Sequence, residues 1–179
     1  MQLVTANGVT VEIKRGDIAN QPDLDAVVNA ANAQLRTGGG VAGAIHRTAG
    51  PGLTEETRPL APIKPGEAVI TGGHNLPNDY VIHTLGPVYG KDKPENELLA
   101  SCYRNSVDRA EENEIESLGF PAISTGAFGY PAEEAAHIAL ETVKEKTNSL
   151  EYLKTIRFVL FGQQSYDVHE EAMSDVFDG

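Results

Sequence analysis

After an opening hairpin, short apolar runs and helical stretches alternate to the end of the chain, and few folds accommodate that order. Leu3 to Thr5 and Val9 to Ile13 flank Asn7-Gly8. Asn-Gly between two β-rich runs predicts a tight hairpin turn, because both central residues of such a turn need positive φ. Asp25 to Val28 is a short apolar run ending at Asn29 and reads as a buried strand. Ala68 to Ile70, Tyr80 to His83, Leu118 to Ile123 and Ile156 to Phe161 are further runs of this kind. Helical spacing marks Val41 to Ala49, Glu97 to Glu112, Pro131 to Thr147 and about Ser165 to Phe177. The third of these opens with proline and then two glutamates, a good helix start. The Pro/Gly-rich piece from Gly50 to Gly66 reads as a surface loop. The pattern predicts an α/β fold, a three-layer α/β/α sandwich with a mixed central sheet, in a single domain over residues 1–179.

Charge narrows the ligand chemistry. Lysine and arginine number 14 against 26 acidic residues, a net charge of −12. Such a surface repels a nucleic-acid backbone, which argues against general DNA or RNA binding. An anionic ligand would have to be held by backbone N–H groups and helix dipoles instead of a broadly basic cleft. No apolar run is long enough to cross a bilayer and no signal-peptide core opens the chain, so a cytoplasmic protein without membrane association is expected. A monomer is expected. Cys102 is the one cysteine, which excludes an internal disulfide and a cysteine-based zinc site. No His/Asp/Glu group has metal-ligand spacing.

Two segments share one design. In the first, the run 25–28 ends in Asn29 and Asn32, and Gly38-Gly39-Gly40-Val41-Ala42-Gly43 leads into a helix. Glycines let backbone approach a ligand closely, and the free N–H groups of a helix start suit phosphate. The asparagine amides would grip sugar hydroxyls. The segment has neither the Gly-Lys-Ser/Thr ending of a phosphate loop nor the spacing of a dinucleotide fingerprint. The alternative is a tight turn that packs a helix on the sheet. In the second, Pro121 to Ile123 runs into Ser124-Thr125-Gly126-Ala127-Phe128-Gly129 before Pro131. Ser124, Thr125 and Gly126 could offer hydroxyl and amide donors. Phe128 could cover a sugar or base, or plug the core beneath the loop. Two such loops together suit a two-sided clamp on a diphosphate. A third feature, Gly16-Asp17-Ile18, places a carboxylate at a strand end, either as an acceptor for an exocyclic amine or as an exposed turn or cap.

Other candidates read as structural. His46 lies inside a helix and fits packing or capping, His83 follows a buried strand and fits a hydrogen bond within the fold, and Cys102 sits on a buried helix face.

The ordered set Gly-Asp-Ile (16–18), Val-Asn-Ala-Ala-Asn (28–32), Gly-Gly-Gly-Val-Ala-Gly-Ala-Ile-His (38–46), Val-Ile-His-Thr-Leu-Gly-Pro (81–87) and Ile-Ser-Thr-Gly-Ala-Phe-Gly-Tyr-Pro (123–131) resembles macrodomains over nearly the whole chain. It is similar to the branch holding O-acetyl-ADP-ribose deacetylases and mono-ADP-ribosyl hydrolases. The resemblance implies that Asp17 and the backbone of Ile18 read adenine. It implies that the 38–43 and 124–129 loops enclose the diphosphate, and that Asn32 holds the distal ribose with Phe128 beside it, the two catalytic candidates. It places Phe161 near adenine, with core packing as the alternative. It implies hydrolysis of ADP-ribosyl bonds on mono-ADP-ribosylated proteins or of O-acetyl-ADP-ribose, with no cofactor, or else a reader that binds without turnover. One departure bears on this choice: many hydrolases of the branch carry aspartate where this chain has Ala42, and alanine cannot act as a general base.

Overall fold

The computed structural model describes residues 1–178. The hairpin forms at the Asn-Gly turn. β1 (Gln2–Ala6) returns as antiparallel β2 (Val9–Arg15), with Asn7 and Gly8 both at positive φ. The chain continues through β3 (Ala26–Ala30), α1 (Gly40–Ala49), α2 (Pro51–Thr57), β4 (Ala68–Gly72) and β5 (Tyr80–Thr84). It ends with α3 (Glu95–Glu112), β6 (Ser117–Phe120), α4 (Ala132–Lys146), β7 (Thr155–Leu160) and α5 (Gln163–Asp178). The strands form one seven-stranded sheet in the order β1-β2-β7-β6-β3-β5-β4. Neighbours from β2 to β5 run parallel, and the two edge strands run antiparallel to them. This is the expected mixed sheet in an α/β/α sandwich.

The alternation of side chains along each strand divides the core. In β7, Ile156, Phe158 and Leu160 point into the larger cluster with residues of α3, α4 and α5, whereas Val159 joins the smaller cluster with Ile45, Ala49 and Leu53 of α1 and α2. Tyr103, Phe120 and Phe158 form the heart of the larger cluster, with ring centroids 5.0 Å and 5.7 Å apart along the series. Each buried ring of this kind contributes roughly 1.5–3 kcal/mol.

Two expectations are corrected. The Gly50–Gly66 stretch is not all loop: Pro51 starts α2, where its missing N–H costs no helical bond, and buried Leu53 anchors the helix. The run Leu118 to Ile123 pairs only as far as Phe120, because Pro121 has no N–H for the ladder.

Buried Arg157 ties β7 to the segment after β2. Its guanidinium meets Glu12 and Asp23 at 2.7 Å each and Gln21 Oε1 at 2.9 Å. The hydrogen bond from Arg157 holds the Asp23 carboxyl down to about 2. Gln21 Nε2 donates to the Asp17 carbonyl at 2.9 Å, and Asn78 Nδ2 donates to the Gln21 carbonyl at 2.8 Å. The loop that follows β2 is thereby fixed from below.

Candidate binding cleft

Because β2, β7, β6 and β3 are parallel neighbours, their carboxyl ends fall on one edge of the sheet in that order. Ligands of open α/β sheets bind at such an edge. A cleft of about 820 Å³ lies there, lined by residues 16–18, 30–32, 38–42 and 121–128 and by Phe161. Asp17 follows β2, Phe161 follows β7, the 124–129 loop follows β6 and Asn32 follows β3. Asp17 and Asn32 thus stand three strand spacings apart, roughly 14 Å at about 4.8 Å per step.

The cleft is electropositive through its backbone. The first intrahelical bond of α1 runs from Gly43 N to Gly39 O at 3.2 Å, so the amides of Gly40, Val41 and Ala42 have no partner in the helix. Among the described residues, the amides of Gly126, Ala127 and Phe128 across the cleft also lack a partner within the chain. Gly162 and Ser165 bring the start of α5 to the same wall. The first turns of α1 and α5 contain no acidic residue, whereas α3 carries Glu95 and Glu97 and α4 carries Glu133 and Glu134. The two helices that open on the cleft therefore keep their positive ends uncompensated.

Asn32 is held as a turn. Its Oδ1 accepts from Arg36 N at 3.1 Å and its Nδ2 donates to Arg36 O at 2.8 Å, leaving one N–H and one lone pair for a ligand. Leu35 makes this turn possible in a left-handed backbone, φ 55°, which its complete burial with Ala31, Ile63 and Leu85 offsets. Phe128 packs on that same cluster in the way its core-plugging alternative expects and is still partly open, lining the cleft. Asp17 Oδ1 accepts from Ala19 N at 2.9 Å, an Asx turn that leaves Oδ2 of this exposed residue without a partner in the chain.

The sequence profile of the Macro domain family matches residues 28–139. A macro domain-containing protein of Methanosarcina mazei is 48% identical over 167 residues, covering 93% of this chain and 89% of that protein. The chain belongs to the macrodomain family. ADP-ribose glycohydrolase MACROD2 of Xenopus laevis is 44% identical over 171 residues, 93% of this macrodomain and 40% of that protein. A mutant Oceanobacillus iheyensis macrodomain with ADPR superposes with a TM-score of 0.94 at 36% identity over 99% of both chains. The Trypanosoma brucei macrodomain in complex with ADP-ribose superposes with a TM-score of 0.84 at 38% identity, covering 90% of this chain and 68% of that one.

Three expected site residues lie off the cleft wall in this macrodomain, and a fourth reaches it with its hydroxyl already engaged. Asn29 is fully buried and absent from the cleft wall, because in register with His83 it shares the sheet face of Val27 and Val81, which α1 and α2 cover. Its Nδ2 donates to His83 Nδ1 at 3.1 Å, which leaves the His83 Nε2–H for Thr71 Oγ1 at 3.0 Å. Burial pushes the His83 pKa down to about 3, so the ring is neutral. Gly43 is a packing position. A Cβ there would clash with the Gly38 carbonyl and meet the Arg47 guanidinium at 2.9 Å. Gly129, at φ 74°, closes the second loop beneath its tip and does not line the cleft. Ser124 lines the cleft, but its hydroxyl proton is taken by the Pro87 carbonyl at 2.9 Å.

Phe161 is 88% exposed at the cleft rim, which excludes the core-packing alternative. His46 and Cys102 are buried as expected. His46 Nδ1 faces Thr54 Oγ1 at 3.2 Å, and burial raises the Cys102 thiol to about 11, far from a reactive thiolate. Among the described residues no group of histidine, cysteine and carboxylate side chains is arranged to hold a metal. Sequence reading missed Arg47 on the cleft wall. Gly40, Gly43, Ala44 and Arg47 fall on one helical face, and that spacing was the signal that could have found it.

Proposed function

We propose that this macrodomain binds ADP-ribose along the sheet edge and hydrolyses the ADP-ribosyl bond at its distal ribose. Mono-ADP-ribosylated protein or O-acetyl-ADP-ribose is the substrate and water the co-substrate. The order of loops along the edge carries the reading. A carboxylate acceptor stands at one end, two sets of free amides in the middle, and an amide with spare hydrogen-bonding capacity beside an aromatic ring at the other. The two end groups stand three strands apart along the edge, which suits an extended nucleoside diphosphate sugar. In this reading Asp17 accepts from the adenine amine, the 38–42 and 125–128 amides surround the diphosphate, and Asn32 and Phe128 position the distal ribose. The ADP-ribose bound by the Trypanosoma brucei protein and the name of the Xenopus relative support ligand and reaction.

Catalysis has to come from position. Asp17 is the one carboxylate on the cleft wall among the described residues, and it lies at the far end from Asn32. Water is held by a ligand phosphate and loop amides, and its attack breaks the ester or glycosidic bond at the distal ribose, giving ADP-ribose and the freed protein side chain, or ADP-ribose and acetate from O-acetyl-ADP-ribose. Rates that rest on placement are sensitive to small displacements. That same missing carboxylate favours a second reading, a module that binds without turnover. Single-turnover release of ADP-ribose from a modified protein, run beside calorimetry with free ADP-ribose, separates the two. Release above the buffer blank is expected. Tight binding without release selects the binding module.

A further inference from the structure

Charge is unevenly spread over this acidic molecule. Residues 32–64 hold Arg36, Arg47, Arg58 and Lys64 against Glu55 and Glu56, a net +2 in a chain of net −12, so the remaining residues carry −14. The four cations are exposed, and none has a carboxylate partner among the described residues. Glu56, in contrast, is taken by His74 Nε2 at 2.7 Å and by the Gly72 amide, at the β4 side of the lobe. The fold gathers the cations round the turn that ends the cleft. Arg36 is the residue whose backbone Asn32 grips. Arg58 follows Thr57, whose hydroxyl donates to the Leu35 carbonyl at 2.8 Å. Lys64 follows Ile63, whose amide donates to the Ala33 carbonyl at 2.9 Å. Arg47 closes the set from the wall of α1.

We propose that this basic lobe docks the acidic stretch of polypeptide flanking the modified side chain of a substrate protein. The inference rests on the orientation given above, in which the distal ribose ends at Asn32 and whatever it is attached to leaves the cleft there. A short acidic segment meets only the lobe. A longer polyanion such as a nucleic acid would run off it onto surface of the opposite preference.

The test uses the full chain and four probes: free ADP-ribose, two peptides carrying ADP-ribose through a non-hydrolysable linkage, and a single-stranded oligonucleotide carrying it at one end. One peptide has glutamates and the other lysines beside the modified residue. At low salt the glutamate peptide is expected to bind roughly fivefold more tightly than the lysine peptide, as a few exposed ion pairs allow. The difference should vanish at about 1 M salt, where the Debye length is about 3 Å. Arg58→Glu with Lys64→Glu should reverse the preference, and Arg58→Gln with Lys64→Gln should abolish it, both leaving free ADP-ribose affinity unchanged. Equal affinity for the two peptides at low salt, with free ADP-ribose bound, overturns the docking proposal alone. Tighter binding of the oligonucleotide than of the glutamate peptide overturns it in favour of nucleic acid. Failure of free ADP-ribose to bind overturns the functional reading and this inference together.

Discussion

Ala42 forms part of the cleft wall yet is only 5% exposed, close to where Gly38 passes the start of α1. A carboxylate placed there would stand in the first turn of α1 among its free amides, which keep it ionised and able to take a proton from water. Ala42→Asp is therefore expected to increase hydrolysis with a sigmoid pH dependence that the parent lacks. A pH-rate profile of single-turnover release checks it, and an unchanged flat profile would show that the position is remote from the water. Asp17→Ala should weaken ADP-ribose binding by about 1–3 kcal/mol through the lost acceptor. Calorimetry on a variant that still unfolds cooperatively, its melting temperature lowered slightly by the lost Ala19 bond, tests this, and parent-like affinity would leave Asp17 a turn residue only. Asn32→Ala should lower turnover more than affinity, since its amide also fixes the Arg36 turn. A loss confined to affinity would remove Asn32 from the chemistry. Asn29 and Asn32 look alike in the sequence as two amides after an apolar run. Only the register of β3 against β5 separates the buried one from the one on the wall, and register is set by strand partners far away in the chain.

At the scale of elements, strands and helices were legible because their apolar periods differ, and the two glycine loops were legible because each falls between such periods. α2 was hidden by the proline and glycines around it, which signal turns as readily as a helix start. The opening of α5 on the cleft was equally hidden, because it depends on which strand β7 pairs with and not on the local residues. The polar layer between β3 and α1 has a measurable consequence. His83 falls from its usual 6.5 to about 3 on folding, and His46 and His169 are also lowered by burial. Between about pH 6.5 and 3 the unfolded chain takes up a proton at position 83 that the folded chain refuses. The stabilisation from the neutral ring is present above pH 6.5 and is lost as pH falls, at about 1.4 kcal/mol per pH unit for one proton. Urea unfolding at pH 6.5 and pH 5 should report proton uptake on unfolding, carried above all by His83, with His46 and His169 adding to it and His137, raised by the Glu133 carbonyl and Asp175, opposing it. A pH-independent midpoint over that interval would show that the first three rings are not buried neutral.

At the scale of the molecule, the net charge of −12 and the amide-lined cleft give opposite expectations for salt. Added salt should raise the melting temperature by screening self-repulsion. Free ADP-ribose affinity should fall only modestly, since Arg47 is the one cationic side chain on the cleft wall among the described residues. A steep decline would assign the diphosphate to Arg47 and not to the amides. Since the parallel strands aim their carboxyl ends at one edge, the loops at their other ends lie on the far side. The Asn7-Gly8 turn is one of these, and a Cβ at Gly8 would have open space around it. A linker joined at that turn would leave the cleft mouth unobstructed. The chain could then be mounted on a bead or fused to a fluorescent protein with its cleft outward, as a capture reagent for whatever it recognises.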